Sequence, residues 1–159
     1  MKPIFSRAMP LLAPGIRSAA IVLQSARRYA PDAQEDAMPV INGFETLKNL
    51  PEEKISDQIS RRVLAGDKSM IVWWSMKAGA HAAAHHHPNE QVFWVTAGSM
   101  DIRIGAERRV CRAGDVGVIP GGVEHEAWFP TDCEVIDVFA PRREDFLTAE
   151  APAYMRKAV

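Results

Sequence analysis

An all-β fold, either a sandwich or a barrel, is predicted by three observations. From Ser69 onward, short runs of β-branched and aromatic residues alternate with Gly, Pro and Asp punctuation. Such runs recur at intervals typical of sheets packed face to face or closed on themselves. The 159 residues, 47% hydrophobic and 25% charged, suffice for one globular domain whose core needs neither a metal nor a disulfide merely to fold.

Residues 1–37 carry a net charge of +2 against −3 for the remainder, and the first acidic residue is Asp32. A leader rich in Ala, Ser, Arg and Pro fits an organellar transit segment, an overextended start or a loose tail. Pro10 and Pro14 interrupt its apolar stretch, which excludes a secretory signal. Met38 opens MPVINGFETLKNLPEEKI, the beginning of the domain proper, so the domain is expected over 38–159 behind a short helical or irregular extension. Leu47, Leu50, Ile55, Ile59 and Val63 stand at helix-like intervals, and Pro51 suits a first helical turn, so a short helix is expected between Phe44 and Leu64. Strands follow in SMIVWWSMKAG, EQVFWVTAGS, MDIRIGAERRV, AGDVGVIPGG and CEVIDVFAP. The stretch from Arg142 to Val159 is short and charged and is expected to pack on the outside.

Composition excludes several roles. With 19 Lys and Arg against 20 Asp and Glu there is no basic surplus for a nucleic-acid partner, and no apolar run is long enough to span a bilayer. Cys111 and Cys133 are isolated thiols that form neither a zinc ribbon nor a disulfide scaffold, which points to a reducing, cytoplasmic setting unless the leader directs the chain to an organelle.

The histidines carry the chemistry. His85 and His87 are two residues apart, so on an extended chain both rings leave the same face, and Gln91 shares their parity. His125 arrives from a separate strand after the Gly121–Gly122 turn and closes the cluster. His86 has the opposite parity and points away; His81 has inward parity but precedes the cluster. Three imidazoles and a carboxamide buried together need something to neutralise their lone pairs, which one divalent transition ion supplies: Zn, Ni, Fe or Mn. A neutral Gln91 leaves the ion its full charge, giving weaker binding but stronger Lewis acidity, and the absence of a carboxylate ligand disfavours non-haem iron oxygenase chemistry. Glu90 could serve in place of Gln91 only if the strand bulges there. Farther on, Cys133, Val135, Asp137 and Phe139 share one inward face, and Asp137 is either paired structurally or held as a proton-transfer group with a raised pKa.

The spacing of Gly79, His85, His87, Gln91 and Gly98, followed by Gly114, Pro120, Gly122 and His125, resembles the two cupin motifs, with departures at Gln91 and Phe129. The resemblance implies a single-domain cupin, a double-stranded β-helix or jelly-roll barrel, with His85, His87, Gln91 and His125 as metal ligands. The strings HHHPNEQ and DVFAPRREDF are similar to those of small cupins of the KdgF type, which convert unsaturated uronates into linear ketonised sugar acids. That resemblance implies a small-molecule substrate, non-redox isomerase, ring-opening or lyase chemistry, and catalytic roles for Asp137, Phe139 and Arg143, with Arg142 an unresolved neighbour. The alternatives are a metal-dependent dioxygenase and a non-catalytic ligand-binding cupin. A homodimer is expected, because outward residues such as Trp94 and Val138 suit a covered sheet face.

Overall fold

The computed structural model describes residues 41–148 and 152–156, so the extension expected at residues 1–37 lies outside the described residues. Ten strands carry the fold: β1 (Glu53–Lys54), β2 (Ile59–Ala65), β3 (Met70–Met76), β4 (His81–His85), β5 (Glu90–Ala97), β6 (Ser99–Ile104), β7 (Glu107–Arg112), β8 (Val116–Ile119), β9 (His125–Trp128) and β10 (Cys133–Ala140). They form a six-stranded sheet in the order β1-β2-β3-β10-β5-β8 and a four-stranded sheet in the order β4-β9-β6-β7. Every recorded strand pair is antiparallel. The all-β prediction therefore holds.

Alternation along the strands builds the core. In β5, Gln91, Phe93 and Val95 are buried while Val92 and Trp94 face out; in β10, Cys133, Val135, Asp137 and Phe139 are buried. MDIRIGAERRV divides into β6 and β7 at Gly105, whose φ of +56° makes the hairpin turn. The turn after β5 is more demanding. Gly98 has φ +73°, and a Cβ there would sit 1.9 Å from the Asp132 carbonyl oxygen, so only glycine fits.

Two expectations need correction. The segment from Phe44 to Leu64 is not helical beyond a single 3-10 turn at Leu47–Asn49, and its second half is β2. Ile59, Arg61, Val63 and Ala65 all face inward, a period of two hidden in the sequence because an arginine occupies an apolar slot. Arg61 is 1% exposed, paired through Nε with Glu53 at 2.7 Å and lying over the Phe146 ring at 4.4 Å. The C-terminal stretch is also not merely external. Phe146 is fully buried, and Arg143 and Met155 are nearly so.

Candidate metal centre

His85 ends β4, His87 follows in the connecting loop, Gln91 lies in the first turn of pleat of β5, and His125 opens β9 opposite His85. Each of the three histidines offers one nitrogen, and these atoms lie within 4.8 Å of one another. A register shift between Ala82 and His85 produces this convergence. Ala82 faces the core, and three residues later His85 turns inward too, which a regular strand cannot do. The same shift overturns the inward parity read for His81. Its ring lies on the outer surface, stacked on Trp128 and bonded through Nε2 to Glu126 at 2.8 Å. His86 is exposed, as its parity requires.

The backbone fixes which nitrogen of each ring faces the cluster. His85 Nδ1 meets the Ala83 carbonyl at 2.7 Å, His87 Nδ1 that of Asn89 at 2.9 Å, and His125 Nδ1 that of Val123 at 2.9 Å. A carbonyl only accepts, so each Nδ1 carries the proton and each Nε2 presents a lone pair. Gln91 Oε1 stands 3.2 Å from His87 Nε2, which sets two acceptors against each other, and His125 Nε2 is buried with no partner. A divalent cation is the species that satisfies this set, so the residues fit a metal.

Burial also keeps the rings neutral. It pushes His85 down to about 3, assisted by the nearby His125, and His87 down to about 4, assisted by the Arg143 guanidinium. His125 is lowered too, chiefly by burial. At neutral pH no proton competes for the ligand nitrogens. Glu90 faces outward at the start of β5, where the pairing with β10 and β8 runs without a bulge, so it cannot replace Gln91.

The residues singled out for catalysis lie beside the cluster. Asp137 is 6% exposed; Trp74 Nε1 donates to its Oδ2 at 2.8 Å, while Oδ1 has no direct partner. Burial pushes its carboxyl up to about 7 against the opposing pull of the Gln91 amide, the Trp74 indole and Arg143. Phe139 presents its ring to His87 at a centroid distance of 5.5 Å. Arg143 binds Asp145 through Nε and Nη2 at 2.9 and 2.6 Å and lies over Phe146 at 4.3 Å, leaving Nη1 buried without a partner. Arg142 points elsewhere, to Glu144 and the Gly66 carbonyl.

Two further groups, absent from the sequence reading, shape the site. Asn89 donates to the carbonyls of Pro141 and Arg142 at 2.7 and 3.0 Å, tying the His87 loop to the end of β10. Tyr154, in a short helix at Ala153–Arg156, stacks on His85 at a centroid distance of 3.6 Å. The HHHPNEQ string contained Asn89, but nothing around Tyr154 marks it. Trp74, His85, Gln91, His125, Asp137 and Tyr154 help to line a cavity of about 50 Å³.

Comparison with known proteins agrees with this geometry. The cupin domain family matches residues 72–139. The pectin degradation protein KdgF of Dickeya dadantii is 32% identical over 100 residues, which are 61% of this chain and 91% of that protein. An RmlC-like cupin from Shewanella frigidimarina superposes with a TM-score of 0.64 at 31% identity, over 67% of this chain and 96% of the other. KdgF from Halomonas sp. superposes with a TM-score of 0.62 at 28% identity, over 67% of this chain and all of the other. A two-sheet antiparallel fold, two motifs that bring three imidazoles together, and similarity along nearly the full length of these relatives lead to one conclusion: the chain belongs to the cupin superfamily and is similar to KdgF.

Proposed function

We propose that this chain is a metal-dependent enzyme that opens and isomerises a small unsaturated sugar acid, with His85, His87, Gln91 and His125 as the metal ligands. The observation that carries the reading is the pairing of an all-neutral donor set with Asp137, a buried carboxyl with one unpartnered oxygen, on the same cavity. The similarity to a pectin degradation protein supplies the substrate class. A divalent ion held there would act as a Lewis acid toward a substrate oxygen.

The chain's own residues then have these tasks. Asp137, which burial keeps partly protonated near neutrality, gives a proton to the oxygen or carbon that becomes basic as the ring opens, and its carboxylate takes one from the anomeric hydroxyl. One proton leaves, one arrives, and the product is an isomer of the substrate. Trp74 holds Oδ2 so that Oδ1 faces the exchange. Phe139 walls the site beside His87 and excludes water, and Arg143 offers Nη1 to the substrate carboxylate. The donor set speaks against an oxygenase of the two-histidine, one-carboxylate type, because Glu90 is outward and, among the described residues, no carboxylate joins the three histidines.

The test is loss of absorbance of 4,5-unsaturated galacturonate with metal-loaded protein and with Asp137→Asn. Acceleration over the spontaneous reaction, and a variant slowed by about 100-fold or more, are expected. Equal rates with and without protein would remove the reading, and an unimpaired variant would remove the role of Asp137. The homodimer expectation finds support in Val92, Trp94, Val116, Val118 and Val138, all exposed on the outer face of β5, β8 and β10, and sedimentation equilibrium tests it.

A further inference from the structure

The cavity beside the histidines is too small for the substrate class proposed above. A buried water takes about 10–15 Å³ of such space, so about 50 Å³ holds a few waters and not a sugar ring. Part of the C-terminal segment fills the rest. Tyr154 lies flat on His85, with 3.6 Å between centroids and 10° between planes, and its hydroxyl is 3.4 Å from Arg143 Nη2. Met155, 6% exposed, lines the cavity beside it.

The segment is held lightly for something so buried. Its helix is four residues long, far below the length at which a helix persists by itself, so its position depends on what its side chains touch. Those contacts are a ring face, a guanidinium edge and an apolar wall, which are also the contacts a cyclic hydroxy acid would make. Arg143 meanwhile keeps Nη1 buried and unpartnered on the same side chain that reaches Tyr154.

We propose that residues 152–156 form a self-occupying plug, in which the Tyr154 ring stands in the place of the substrate ring on His85 and its hydroxyl in the place of a substrate oxygen at Arg143. The plug must withdraw for a sugar acid to bind, and the two compete for one site. The identity of the displacing ligand rests on the proposed function; the presence of the plug does not.

The experiment measures access to the cluster in metal-free, full-length protein. Diethyl pyrocarbonate modifies neutral imidazole nitrogens, and the rate at His125, whose Nε2 is buried, is taken relative to that at exposed His86 by mass spectrometry. The ratio corrects for general loosening of a variant. Tyr154→Ala combined with Met155→Ala is expected to raise it about tenfold or more, whereas Tyr154→Phe, which keeps the stacked ring, stays within about twofold of the parent. An unchanged ratio in the double variant, or a rise in Tyr154→Phe equal to that of the double variant, would overturn the plug. The same proteins, metal-loaded, are then given 4,5-unsaturated galacturonate, and the double variant is expected to show a lower KM. A raised ratio without turnover by any protein upholds the plug and removes the uronate reading. Turnover with an unchanged ratio does the reverse.

Discussion

Asp137→Asn changes the acid sensitivity of the metal-free protein, and the structure gives both the sign and the size. Burial raises Asp137 from its ordinary 3.8 to about 7, so between those values the folded chain holds a proton that the unfolded chain has released. Its contribution to stability therefore grows as the pH falls through 7. His85 and His87 act oppositely. They drop from 6.5 to about 3 and about 4, so below pH 6.5 the unfolded chain takes up protons that the folded chain refuses, and stability falls. Between pH 6.5 and about 5 the linkage relation gives roughly 3 kcal/mol lost through the two histidines together, before solvent contact at half-buried His85 reduces its share, against roughly 2 kcal/mol gained through Asp137. His125 is lowered as well and adds to the loss.

Asparagine keeps an oxygen for the Trp74 indole but cannot titrate, so the variant is left with the histidine loss alone. Its fall in unfolding free energy over that pH interval should exceed the parent's by about 2 kcal/mol. Urea titrations of both proteins at pH 6.5 and 5, with a chelator present, measure the difference directly. If the two proteins lose the same stability over the interval, Asp137 does not hold a proton in the folded state, and its assignment as the proton donor fails with it.

Two other changes have defined outcomes. Gly98→Ala places a Cβ 1.9 Å from the Asp132 carbonyl oxygen at φ +73° and should cost about 3 kcal/mol or more, read as a lowered urea midpoint or as insoluble protein. His125→Ala removes one of the three converging nitrogens and should weaken Zn or Ni binding by more than about 100-fold in a competitive chelator titration, since losing a residue that only orients a ligand already costs about 10–100-fold. The same loss should abolish the rise in melting temperature that the parent gains on adding metal.

Much of this architecture could be read from the chain before any coordinates. Strands β5 and β10 were legible as runs of β-branched and aromatic residues between Gly, Pro and Asp punctuation, although outward Val92, Trp94 and Val138 are as apolar as inward Phe93 and Val95. The histidine cluster was legible because a histidine pair at a separation of two, with a third histidine after a glycine turn, leaves few arrangements. The strands that carry those histidines were not, because HAAAH and HEAW are made of residues with little strand preference. Arg61 masked β2, since nothing local reveals that a guanidinium will find Glu53 and an aromatic ring inside the barrel. The register shift in β4 was invisible in a run of alanines, and it misdirected the reading of His81. Tyr154 lies beyond the last strand in a segment without periodicity, and its contact with His85 is purely tertiary.

The three carbonyls that hold the imidazoles each belong to a residue two positions from the histidine they orient. Each ligand is thus aimed by its own stretch of chain rather than by a distant partner, and no ring must turn over when an ion arrives. Binding of an ion to the cluster would then need little reorganisation of the three rings. If the proposed His and Gln set holds the metal, the ion found there should follow from the supply at the time of loading as much as from the donors, because such a neutral set accepts several first-row ions. Protein matured in zinc-rich and in nickel-rich surroundings would differ in metal content while sharing one fold.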